Sequence, residues 1–233
     1  QLPGRSALRW KSLLPVLLAA LGLNLLWLWD APLADTTEAR HAEIGREFAV
    51  DGHWLVPALN SRPHLTKPPL TDWLVALGIR IFGANEFGAR FFGALLAAIG
   101  LVLVFGFAGR IGGRGAAAAA GAFYLCTPIY LALSRTISID ILLATFAAGG
   151  FWAAWELSRE DCPRPRAIAA AYWIVLGLGV LAKGHIALLV AFLPVVAWML
   201  VARRRRLAAR LFFTPGLLLF PLLAFPWYIY TAT

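Results

Sequence analysis

Residues 91–108 read FFGALLAAIGLVLVFGFA, a stretch without a single charged or hydrogen-bonding side chain. In hydrocarbon a backbone must satisfy its own N–H and C=O groups, so such a run becomes a helix that crosses a bilayer core of about 30 Å or lies inside a helical bundle. Comparable runs occupy residues 12–29, 116–133, 139–157, 167–181, 186–202 and 211–230. Their apolar residues surround the helix rather than forming one stripe at a 3.6-residue period, as expected when lipid or other helices touch every side. Charged residues are only 14% of the chain, whereas soluble domains carry about a quarter. The pattern predicts an all-α polytopic membrane protein with about seven spans.

The net charge of +9 would suggest nucleic acid until the charges are placed. Alternating spans put Arg5, Arg9, Lys11, Arg110, Arg114, Arg159, Arg164, Arg166, Arg203 to Arg206 and Arg210 at one side, with only Glu156, Glu160 and Asp161 against them. The opposite side is nearly neutral. By the positive-inside rule the basic side, with the N-terminus, is cytoplasmic in a bacterial inner membrane. The basic excess is a topology signal, and no nucleic-acid partner is expected. The first apolar run exceeds the 7–15 residues usual in a cleaved signal, so it reads as a signal anchor. Cys126 and Cys162 fall on opposite sides, with neither disulfide nor ligand spacing.

One connection is long. Residues 30–90 lie on the outer side and hold two candidate interfacial helices, TEARHAEIGREFAV and TDWLVALGIRIFG, joined by a proline-rich elbow. The other links, including RRRRLAAR, read as tight turns. Asp35-Thr-Thr-Glu38 fits a capping box, with Asp35 at N-cap and Glu38 reaching back, or a pair of carboxylates available for catalysis. Glu43 and Glu47 read as a solvated face.

Lys67 stands before two prolines, where it either snorkels to lipid phosphate or is aimed at one anionic group. Asp140 re-enters the membrane, which makes it a functional candidate, an N-cap or the ion-pair partner of Arg135. Lys183 reads as interfacial, and His41, His53, His64 and His185 lack metal-ligand spacing. Acids (Asp35, Glu38, Asp140) and bases (Arg40, Lys67, Arg135, Lys183) thus gather at one face. A carboxylate can take a hydroxyl proton while cations neutralise a leaving phosphate, which suits transfer from a lipid-linked phosphate donor.

PLADTTEARHAEIGREF, DGHWLVPALN, HLTKPPLTDWL and FGANEFGAR, followed by SIDILLATF and LAKG, resemble in order and spacing the bacterial protein O-mannosyltransferase and aminoarabinose (lipid A) transferase superfamily. The resemblance implies a C-type membrane glycosyltransferase (GT-C) bundle with juxtamembrane helices in the first outer loop. It implies a polyprenyl-phosphate sugar donor, such as an undecaprenyl-phosphate sugar, and a lipid, glycan or protein acceptor at the periplasmic face. It also implies that residues 1–233 form the N-terminal part of the transferase domain, with more spans and a soluble domain beyond.

Carried over by position, Asp35, Glu38 and Asp140 are the implied catalytic acids. Lys67, with Arg40 and Arg90, is the implied phosphate-binding set, and His41, Arg135 and Lys183 are secondary candidates. Many relatives have adjacent Asp-Glu followed by Arg-Tyr; here Thr37 precedes Glu38 and His41 replaces the tyrosine, leaving Asp35 two positions upstream. Thr66 stands where the aminoarabinose transferases have a metal-site glutamate, so no metal and no cofactor is expected. The competing reading is a transporter or lipid flippase, whose mark would be charges or broken helices at mid-membrane.

Overall fold

The computed structural model describes residues 13–33, 35–52 and 54–232; Arg5, Arg9, Lys11 and His53 lie outside them. The elements run α1 (Leu13–Leu25), α2 (Thr36–Asp51), β1 (Ala58–Leu59), β2 (Arg62–Pro63), α3 (Leu70–Phe82), α4 (Glu86–Gly112), α5 (Arg114–Cys126), α6 (Pro128–Leu133), α7 (Ile139–Ser158), α8 (Pro165–Lys183), α9 (Leu193–Val201), α10 (Arg205–Phe212) and α11 (Leu219–Ala232). A π turn over Leu188–Phe192 leads into α9 and a 3-10 turn over Pro215–Leu218 into α11.

Among the described residues four helical stretches are long and apolar enough to cross a membrane: α4, α7, α8 and Pro215–Ala232. The other three expected spans are shorter or interrupted. The described part of the first is the 13-residue α1. The run 116–133 breaks between Cys126 and Pro128, because Pro128 has no N–H to give and holds Thr127 extended at φ −71°, ψ 117°. In the run 186–202 the π turn precedes Pro194, whose ring and missing N–H disturb the preceding turn.

Helix α4 is the hub, packed on α1, α3, α5 and α7. Its contact face is made of small residues: Ala94, Ala97 and Ala98 are fully buried. A Cβ at Gly106 would stand 2.7 Å from the Trp152 ring. Such residues let helix backbones approach closely, which is how apolar helices gain packing in lipid. At the basic end, RRRRLAAR is more than a turn. Its Leu207 and Leu211, four apart, are fully buried and pull α10 flat against α7 and α8, while Arg206 pairs with Glu160 at 2.7 Å.

The other end carries the layer formed by residues 30–90. Helices α2 and α3 run parallel at a fixed offset of 31 residues, since His41 meets Asp72 and Arg80 reaches the carbonyl of Ala49. Between these rungs Gly45 lies so close to Val75 that a Cβ there would stand 2.4 Å from Val75 Cγ1. Parallel neighbours need a return connection, and residues 52–69 supply it. Asn60 and Ser61 have positive φ (53° and 59°), turning β1 into β2 as a two-residue type I′ hairpin. Glu47, expected on a solvated face, is instead buried beneath this crossover and accepts from the Ser61 N–H at 3.2 Å. Trp73 Nε1 donates to the Trp54 carbonyl (2.6 Å) and Trp227 Nε1, from α11, to the Leu55 carbonyl (2.8 Å).

Candidate active site

The starts of α2, α4 and α7 and the ends of α1, α8 and α11 meet at the end of the bundle that carries this layer. Asp35 caps α2: its Oδ2 accepts from the N–H groups of Thr37 (3.0 Å) and Glu38 (3.1 Å), and the residue is exposed. One carboxylate oxygen therefore holds the helix while the other faces outward. Glu38 does not complete a capping box. It turns inward, 4% exposed, where Arg90 Nε and Nη2 grip its two oxygens at 2.8 and 2.9 Å. The Ile137 N–H donates to Oε1 as well, at 3.0 Å. Both oxygens are engaged and the side chain is buried.

Arg90, itself buried at the start of α4, spends its remaining N–H groups on the carbonyls of Leu28 (3.0 Å), Ala31 (2.6 Å) and Pro32 (3.2 Å). It thereby fastens the chain leaving α1, just before Asp35, to the helix start and to the segment before α7. The planar guanidinium fork suits this many-partnered role better than an ammonium would.

Lys67 is exposed and makes no hydrogen bond or ion pair among the described residues, whereas Pro68 and Pro69 behind it are buried. Asp140, at the start of α7, pairs with Lys183 at the end of α8 and not with Arg135; Ser138 takes the N-cap position. The Asp140 side chain is 58% exposed and that of Lys183 22%. Gly184 ends α8 at φ +68°, and its Cβ position lies 4.0 Å from Pro68 Cγ and 3.4 Å from the Tyr228 hydroxyl. The Lys67-Pro68 segment, Lys183 and Tyr228 are thus brought to one place. Arg40 is exposed without a partner among the described residues. Arg135 donates from Nη2 to the Leu23 carbonyl (3.4 Å), and its buried Nε has no partner.

Asp72 is a site-proximal residue that the sequence reading passes over. It is 2% exposed, and its Oδ1 lies 2.6 Å from Nδ1 of the equally buried His41. Burial pushes its carboxyl above the usual carboxylate range, against the hydrogen bond from His41 and the charge of His64. Its only cue in the sequence is an acid at the start of the mostly apolar TDWLVALGIRIF. Among the described residues no group of three or more His, Cys, Asp or Glu side chains converges as metal ligands would.

Residues 66–230 match the family model described as dolichyl-phosphate-mannose-protein mannosyltransferase. The chain belongs to that family. As a member of the mannosyltransferase family it is a multi-pass membrane protein with the GT-C fold, and solved structures bear this out. It superposes on crystal structures of ArnT from Cupriavidus metallidurans, in the apo state and bound to undecaprenyl phosphate, each with a TM-score of 0.86 and 26% identity. The match covers 95% of this chain and 42% and 41% of those two chains.

An undecaprenyl phosphate-alpha-4-amino-4-deoxy-L-arabinose arabinosyl transferase of Aeromonas salmonicida is 31% identical over 88% of this chain and 38% of its own length. An uncharacterized protein of Aquifex aeolicus is 30% identical over 94% of this chain and 42% of its own length. This mannosyltransferase-family chain therefore spans about two fifths of the length of the relatives it matches.

Proposed function

We propose that this protein is a membrane glycosyltransferase that moves a sugar from a polyprenyl-phosphate donor to a hydroxyl of a lipid, glycan or protein acceptor. The observation that carries the reading is Lys67: an exposed ammonium with no partner among the described residues, set on two buried prolines beside the end of α8. Pro68 and Pro69 restrict the backbone at and after Lys67, so less backbone entropy is lost when an anion binds. The ArnT structure bound to undecaprenyl phosphate supports a lipid phosphate as that anion.

In this reading Lys67 neutralises the donor phosphate and Lys183 adds a second cation, its position set by Asp140. Asp35, with one oxygen free, takes the proton of the acceptor hydroxyl. The acceptor oxygen bonds to the anomeric carbon with inversion as the bond from that carbon to the phosphate oxygen breaks. Polyprenyl phosphate leaves with the electron pair. Glu38 acts through Arg90 to hold the Asp35 segment rather than as the base. The basic end of the bundle, with Arg110, Arg114, Arg164, Arg166 and Arg203 to Arg206, supports a cytoplasmic assignment for that end and a periplasmic site in a bacterial inner membrane.

The test is transfer of radiolabelled sugar from an undecaprenyl-phosphate donor by the protein in proteoliposomes. Lys67→Ala is expected to weaken donor binding, and Asp35→Asn to lower kcat with donor binding kept. Wild-type transfer that survives both substitutions overturns the site. Equal movement of a labelled lipid across the bilayer by every variant, without transfer, favours a flippase.

A further inference from the structure

Helices α2 and α3 meet through small and apolar side chains, with Gly45 pressed on Val75 and with Ala42, Val75 and Ile79 in one cluster. Packing of this kind brings the two backbones close and fixes their spacing at Gly45, but it carries no directional bond. Two polar rungs interrupt it. One, Arg80 to the Ala49 carbonyl, lies at the far, exposed end. The other, His41 with Asp72, is buried on both sides and lies at the end nearer the site.

A buried polar pair of this sort is poor evidence for extra stability, because removing both groups from water is costly. Its best-attested use is to specify register: every slipped arrangement leaves a buried carboxyl or imidazole without its partner. Here register has a chemical meaning. α2 begins at Asp35, and α3 follows Lys67, five residues before Asp72. Asp35 lies six residues before His41 on α2 and Lys67 five before Asp72, so both groups lie on the N-terminal side of the rung. Slippage by one helical turn would move these two groups about 5 Å relative to each other, more than a transfer geometry tolerates.

We propose that Asp72 and His41 form a positioning pair that holds the helix carrying Asp35 in register with the segment carrying Lys67. The proposal rests on the roles given above to Asp35 and Lys67, and the pair touches neither donor nor acceptor. In the tautomer that carries its proton on Nδ1, His41 donates to Asp72 Oδ1; an asparagine at position 72 keeps that acceptor oxygen, whereas a leucine removes it.

The test combines transfer kinetics with a readout that needs no chemistry. Asp72→Leu and His41→Leu are each expected to lower kcat on the order of tenfold, with KM for the donor unchanged. Asp72→Asn should stay within a few-fold of wild type, and the Asp72→Leu/His41→Leu double variant should be no slower than the slower single. That non-additivity is the signature of one shared interaction. Single-variant losses that multiply in the double, or an Asp72→Asn variant as slow as Asp72→Leu, overturn the proposal.

In parallel, spin labels at the exposed Val50 and Ile81, another pair at the offset of 31, report the register directly. Their distance distribution should be narrow in wild type and Asp72→Asn, and broad in Asp72→Leu. Broadening in a protein that transfers no sugar sinks the glycosyltransferase reading and leaves the pair standing. A distribution unchanged by Asp72→Leu in an active enzyme sinks the pair alone.

Discussion

Replacing Arg90 by alanine removes five hydrogen bonds at once: two to Glu38 and one each to the carbonyls of Leu28, Ala31 and Pro32. The heaviest consequence falls on Glu38, which stays buried with the Ile137 N–H as its remaining donor. Stranding one half of a buried ion pair costs about 3–5 kcal/mol, and the three carbonyls, now facing a cavity, add to that. Arg90→Lys keeps the charge and loses the fork, so it should recover less than half of the loss.

The informative comparison is Arg90→Leu with Glu38→Leu. Taking out both charges removes the stranded carboxylate, so the double variant should be more stable than Arg90→Ala, although the segment leading to Asp35 is loosened in both. Thermal unfolding in detergent, followed by tryptophan fluorescence, measures the order: wild type, double variant, Arg90→Ala. An Arg90→Ala protein as stable as wild type, or a double variant less stable than Arg90→Ala, refutes the reasoning. Transfer activity should be lost in all of them, because the position of Asp35 depends on the pair.

Asp35→Ala should lose about 1 kcal/mol of helix stability along with activity, whereas Asp35→Asn keeps the cap and loses only turnover; unfolding midpoints compared with kcat separate the two roles. Gly78→Ala should prevent α3 from docking on α4, since its Cβ would fall 2.0 Å from the Gly88 carbonyl oxygen and backbone cannot step aside cheaply; limited proteolysis between residues 52 and 85 reads the release. Leu207→Asp should detach α10 by placing a carboxylate at a fully buried position, and accessibility of a cysteine introduced at Ala208 to a water-soluble maleimide would rise.

What could be read in advance follows from where the determining partners lie. The spans are legible because lipid dictates composition over some twenty consecutive residues. The Asp35 cap is legible because its partners are two and three residues away. The surroundings of Glu38 were not legible, since its grip comes from Arg90, 52 positions on. Asp72 escaped for the same reason: its meaning depends on His41, 31 residues earlier. The interruptions of two spans had visible causes in Pro128 and Pro194, which a hydropathy reading averages away. The burial of Glu47 had no local signal, because the crossover that covers it is shaped by Asn60 and Ser61.

The bond from Trp227 to the Leu55 carbonyl joins residues 172 positions apart. A ribosome adding about 5–20 residues per second takes roughly ten to thirty seconds to make that stretch. Residues 30–90 are therefore made long before α11 exists to hold them. During that interval the crossover has its hairpin and Glu47 but lacks the bond from Trp227. Assembly order thus has a consequence for the proposed site: the crossover behind the Lys67 segment gains its bond from α11 only after every described helix before it has been made.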